Sequence, residues 1–285
     1  IIFFFTIFIK SNVHSQDQFN FDVTEVEILE EGNIYIGSKK GIITTDNGVV
    51  IYADRFEYNK GLNILNAYGN VKLDDKNKKL ILNTDKAVYF KNEEKIFTYG
   101  SSKAVDEKGI IITAEDFKYD KFKDIVNAYK NVKIDNLQNN YIIYAEEITY
   151  LRNKEKIFST GNTKAIIKSQ YIVDSKNVTF LIDKGDLSSK ESTIINDQKS
   201  NFYYLEEFNY NINKEQLKGN DVLVVTNFGL PKSDQFYFSN TMINLKDNSF
   251  ISGKTTIRGD KEMFSNQNQD PRIKGVSSVR KGNLT

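Results

Sequence analysis

A motif of about thirty residues recurs along the chain and restricts it to a stacked-repeat architecture. Copies begin at Val23, Ala53, Thr84, Ala114, Ala145, Ser175, Leu205 and Ser239, spaced by 30, 31, 30, 31, 30, 30 and 34 residues. The clearest are Ala53-Asp54-Arg55-Phe56-Glu57-Tyr58, Thr84-Asp85-Lys86-Ala87-Val88-Tyr89, Ala114-Glu115-Asp116-Phe117-Lys118-Tyr119 and Ala145-Glu146-Glu147-Ile148-Thr149-Tyr150. Such units cannot bury their apolar faces alone and do so by stacking on their neighbours.

Each copy has the same internal order, counted from the starting residue as position zero. Apolar residues lie two and four places before it, as in Val49 and Ile51, Leu80 and Leu82, or Ile110 and Ile112. This alternation marks a half-buried strand. After position zero the apolar places fall three and five residues on, at Phe56 and Tyr58, Phe117 and Tyr119, Ile148 and Tyr150, Val178 and Phe180, and Phe208 and Tyr210. A slip of one residue would send these side chains to the opposite face. A bulge or corner at the two polar residues between returns them to the first face. Turn formers follow, such as Asn59-Lys60-Gly61 and Asp183-Lys184-Gly185. A second strand opens twelve places from zero at Tyr35, Leu65, Ile96, Val126, Ile157, Leu187, Leu217 and Ile251. Two places later stands a small residue: Gly37, Ala67, Thr98, Ala128, Ser159, Ser189, Gly219 and Gly253. Each repeat reads as a bent β-hairpin, so eight hairpins give about sixteen strands in an all-β roll. No segment of useful length has helical periodicity.

Composition agrees. Sixteen Tyr and twenty Phe against two Pro favour strands. Lys plus Arg and Asp plus Glu nearly cancel, at 39 and 38, which gives no footprint for nucleic acid and no polybasic membrane tether. The opening IIFFFTIFIK is too short to span a bilayer and reads, through Val13-His14-Ser15, as a signal peptide cut after residue 15. It lacks an initiating Met and a basic n-region, so its start is expected to be missing. The domain plan is therefore a leader over 1–15, a β-roll of eight repeats over 16–258 and a polar linker over 259–285. No Cys is present, so an exported chain of this kind must be held by its fold alone.

Stacked bent hairpins form two walls with the apolar places inside. That lining has two readings: a core packed dry by its own side chains, or a groove left for a long apolar ligand. Enzyme chemistry finds no footing. The one His is His14, in the leader, and paired acids such as Glu146-Glu147 and Glu206-Glu207 recur at the polar bend, where solvation explains them. No cofactor or metal is expected. A parallel β-solenoid adhesin or filament would share the repeats and the leader, but predicts neither the phase slip nor a ligand.

The echo Ala-Asp-x-Φ-x-Tyr, its turn, and Ala67-Tyr68-Gly69-Asn70-Val71-Lys72-Leu73 resemble the OstA-like domain of lipopolysaccharide-transport proteins, which include LptA, LptC and the N-terminal domain of LptD. The copy with Asn127-Ala128-Tyr129-Lys130-Asn131-Val132 is similar, and the resemblance spans about 19–257. It implies a bent antiparallel β-jellyroll, or "taco", in the periplasm of a Gram-negative bacterium, its apolar groove holding acyl chains during outer-membrane assembly. The lipid contacts it implies are Ile51, Phe56, Tyr58, Leu82, Tyr89, Ile112, Phe117, Tyr119, Ile143, Ile148, Tyr150, Val173, Val178, Phe180, Phe208 and Tyr210. Asp270-Pro271-Arg272-Ile273-Lys274-Gly275-Val276 resembles the junction before the outer-membrane barrel of LptD, which implies a barrel beyond the chain and an LptE-like lipoprotein plug as partner. The cysteines LptD uses to tie its domains together are absent here, which leaves a soluble LptA-like bridge as the alternative. The N-terminal strand, with Phe19, Phe21, Val23, Val26 and Ile28, is expected to pair with an LptA-like protein by edge addition.

Overall fold

The structure is a computed structural model that describes residues 19–136, 138–260 and 272–282. The leader lies outside these residues, as do Asp270 and Pro271. Among the described residues all strands join one 23-stranded sheet, and every neighbouring pair is antiparallel. Antiparallel pairing rules out the parallel solenoid and fits the hairpin reading of the repeats.

The phase slip is a corner that divides the sheet into two arms. In the pair Ile111–Asp120 and Ile125–Asn136 the register shifts between Thr113 and Asp116. In Tyr141–Leu151 it shifts between Ala145 and Glu147. In other copies the bend cuts the strand in two, giving Val49–Ala53 and Arg55–Asn59, or Phe202–Leu205 and Glu207–Asn211. Residues before the bend and at the end of each hairpin form the first arm. Residues around places +3 to +14 form the second.

Returning strands turn the same corner through left-handed backbone, at Gly69-Asn70, Gly100-Ser101 and Lys130-Asn131. At Gly69 the backbone is left-handed, with φ +73°, which favours glycine, and a Cβ there would crowd the Asp54 carboxylate. Small hydroxyls occupy the inside of the corner. Thr98 Oγ1 lies 2.7 Å from Ser102 Oγ, and it accepts the backbone N–H of Phe117 at 3.0 Å. Ser159 accepts from the N–H of Val178 at 2.8 Å and from Thr163 Oγ1 at 2.6 Å. These bonds satisfy backbone groups that the bulges remove from the ladder.

Two expectations are corrected. In the eighth copy the interior residues are Phe238, Thr241, Ile243, Phe250 and Ser252, while Ser239 is exposed and Ile251 points outward. Position zero is therefore Phe238, one residue earlier than the sequence pattern placed it. The tail is also more than a linker: Arg272–Gly275 pairs with Thr255–Arg258, and Ser278–Arg280 pairs with Ser249–Ser252. One further bent strand thus follows the eighth hairpin. It was missed because it is short and polar.

Candidate functional site

The interior between the arms is a single apolar cluster that runs from Phe19 to Leu245. Every residue assigned from the sequence to the lining belongs to it: Ile51, Phe56, Tyr58, Leu82, Tyr89, Ile112, Phe117, Tyr119, Ile143, Ile148, Tyr150, Val173, Val178, Phe180, Phe208 and Tyr210. None is more than 8% exposed. The arms therefore rest on each other, and the groove exists as a closed interior rather than an open cleft. Lys118 points outward between Phe117 and Tyr119 and lies over the Phe97 ring.

Closure follows a rule. The aromatic four places before zero in one copy meets the aromatic at +5 of the next, across the mouth. Phe19 meets Tyr58 at 4.9 Å, Tyr141 meets Phe180 at 4.9 Å, and Tyr171 meets Tyr210 at 6.0 Å between ring centroids. Edge-on and tilted pairs of this kind are favourable beyond the area they bury.

Outside the rings runs a polar latch. Tyr119 donates its hydroxyl hydrogen to Asp75 at 3.1 Å, and Tyr150 donates to Asp106 at 2.8 Å. Tyr89 donates to Glu94 at 2.7 Å and accepts from Asn47 Nδ2 at 3.3 Å, while Asn47 also donates to Glu94 at 2.6 Å. Burial pushes the phenols of Tyr89, Tyr119 and Tyr150 well above the ordinary tyrosine range, so they stay protonated donors. Cations at +7 add to the seam. Lys91 is 3.1 Å from Asp46 across the mouth, and Arg152 donates at 2.7 Å to the Lys78 carbonyl while pairing with Asp124 at 2.6 Å. Lys108 pairs with Glu155, and Lys168 with Glu215.

No backbone ladder crosses this mouth among the described residues, so side chains alone hold the arms together. The sequence pattern missed the latch. Its signal is present, as Tyr at +5 and Asp at +22 two copies earlier, but it spans more than one repeat.

The first strand, Phe19–Leu29, pairs only with Ile34–Thr45, which leaves its other edge unpaired among the described residues. Phe19, Phe21 and Val23 pack into the interior, whereas Val26 and Ile28 are 49% and 57% exposed because no other described strand stacks beyond them. Two larger depressions, of about 860 and 950 Å³, lie across the bend on the outside of the roll and are lined mostly by polar and charged side chains. No group of three or more His, Cys, Asp or Glu is placed to hold a metal ion among the described residues.

No protein-family model matches the chain, and no curated protein matches it. Among solved structures it is similar to LptH from Pseudomonas aeruginosa, described as the LptA homologous periplasmic component of the conserved lipopolysaccharide transport device. The two are 13% identical, the match covers 41% of this chain and 94% of that chain, and the TM-score is 0.37.

Proposed function

We propose that this chain binds lipopolysaccharide in the periplasm and carries it toward the outer membrane, its acyl chains held between the arms of the roll. One observation carries the reading: the apolar interior is continuous along the molecule, yet its mouth is closed only by side-chain contacts. Each CH₂ taken from water contributes about 0.8 kcal/mol, so a twelve-carbon chain gains on the order of 10 kcal/mol. Each latch bond contributes about 0.5–1.5 kcal/mol net, or up to about 3 where a charge takes part. A multi-acyl lipid can therefore offset the local parting of several rungs. Lining residues of low specificity let it advance without a deep trap.

On this reading the chain is the part of an LptD-like protein that precedes the barrel, with an LptE-like plug in that barrel and an LptA-like protein added at Phe19–Leu29. A soluble LptA-like bridge is the alternative within the same class. The tight packing of the lining favours one rival of another class, a structural or adhesive protein with a dry core.

Photocrosslinking in the lipid-exporting host separates these. Probes at Phe117 and Tyr119 are expected to give lipopolysaccharide adducts, and a probe at Lys118 none. A folded, exported protein with no adduct at any of the three would be a dry-cored structural protein.

A further inference from the structure

The tyrosine–acid rungs of the latch stop before the roll does, and the mouth beyond them is crossed by the Lys168–Glu215 pair and by the Tyr171 hydroxyl, which donates at 3.3 Å to the Leu245 carbonyl. In the third, fourth and fifth copies the Tyr at +5 has a polar partner across the mouth, but in the seventh that Tyr is Tyr210, whose hydroxyl has no partner among the described residues. Ile167 stands where Asp75 and Asp106 stand for Tyr119 and Tyr150. In the eighth copy the place at +5 is Ile243. Asp197, the remaining acid of the series, accepts instead from the backbone of Lys199 and Asn201 in its own turn.

Beyond these bonds, at the C-terminal end of the roll, a cavity of about 220 Å³ lies between the arms. Its floor is apolar and aromatic, formed by Tyr203, Phe236, Phe238 and Phe250. Arg280 lines it too. In the final strand pair Arg280 stands opposite Phe250, which puts both side chains on the interior face. The rest of the polar lining is neutral, and no carboxylate is part of it. Lys91, Lys108, Arg152 and Lys168, along the mouth, each have an acid partner, but the Arg280 side chain has none among the described residues. An aromatic floor below an uncompensated guanidinium is the chemistry that takes an apolar chain and an anionic head together.

We propose that this end of the roll is a binding site for an acyl chain bearing an anionic headgroup, the chain lying on Phe236, Phe238 and Phe250 and the head on the Arg280 guanidinium. The proposal rests on the lipid-carrying reading and adds to it the place of engagement and the charge of the head.

Calorimetric titration of the full chain with dodecyl phosphate, dodecyl maltoside and inorganic phosphate, the detergents below their aggregation concentrations, tests it. The expected result is saturable binding of both amphiphiles and none of inorganic phosphate. Arg280→Gln should weaken dodecyl phosphate about tenfold and leave dodecyl maltoside unchanged, and Phe250→Ala should weaken both. The Arg280 side chain is exposed and has no partner among the described residues, so its variant is expected to fold as the wild type does. If Arg280→Gln binds dodecyl phosphate as the wild type does, the site is overturned while the lipid-carrying reading stands. Inorganic phosphate binding as tightly as dodecyl phosphate would make this an anion site and overturn it as well. If the wild type binds neither amphiphile, both readings fall together.

Discussion

The ring of Tyr119 lies in the apolar interior while its hydroxyl donates to Asp75, a buried acid that also lies 3.9 Å from Lys121 and accepts the backbone N–H of Lys78 at 3.0 Å. Tyr119→Phe keeps the ring and removes one donor from a buried carboxylate. It should cost about 1–3 kcal/mol, read as a lower urea midpoint; an unchanged midpoint would remove Tyr119 from the latch. Alkaline pH tests the same group of phenols. Their folded pKa values are raised by burial, above an unfolded value near 10. Below that value both states are protonated and the contribution is complete. Above it the unfolded chain ionises first, so stability is lost as pH rises toward the folded values. Urea midpoints should therefore hold to about pH 9 and fall beyond about pH 10, less steeply in Tyr119→Phe. Period-two alternation with its slip was enough to send Tyr58, Tyr89, Tyr119, Tyr150 and Tyr210 inward. It could not say which hydroxyls find partners, because Asp75 and Asp106 lie 44 residues from theirs.

Among the elements, the first strand and the corner depend on backbone geometry more than on side-chain identity. Among the described residues Phe19–Leu29 has an unpaired edge, and its exposed Val26 and Ile28 mark the end of the stacked interior. A proline at Val26 removes an N–H and fixes φ, which disrupts an edge but leaves the strands behind it paired. We expect Val26→Pro to keep the far-ultraviolet spectrum of a β protein and to abolish end-to-end association with an LptA-like protein in size-exclusion chromatography. Association at wild-type strength would dismiss edge addition. The corner was legible in part. The polar pair after position zero signalled it, but Gly69, Gly100 and Gly161, at +16 on the returning strand, were not singled out. In the eighth copy the reading slipped by one because Ser239 imitates the small residue of the other copies, and only the burial of Phe238 distinguishes them.

For the whole molecule the question is whether the arms part. The chain has no Cys, so an introduced pair has no competitor. Asn47→Cys with Glu94→Cys replaces a cross-mouth hydrogen bond of 2.6 Å, and a short bis-maleimide would then tie the arms covalently beside Tyr89. In the lipid-exporting host we expect the tie to abolish lipid adducts from a photoprobe at Tyr89 and to spare those from a probe at Phe250, beside the cavity at the far end of the roll. Adducts at Tyr89 that survive the tie would mean that lipid reaches the interior without separation of the arms.

Alternation, the slip and the period are local properties of the chain. Each depends on residues within one hairpin, and together they were enough for the antiparallel roll, its corner and its inner face. Whether that inner face is an open groove or a closed interior depends on how far apart two arms settle. Contacts between different repeats decide that distance: Tyr141 on Phe180, Tyr119 on Asp75, Arg152 on the carbonyl of Lys78. The same holds for the cavity beside Arg280, whose walls come from Tyr203, Phe238, Ile243, Phe250 and the final strand and meet only after the sheet has folded on itself. A pattern read along the chain fixes which way a side chain points, but the partner it meets there depends on the packing of segments far apart in sequence.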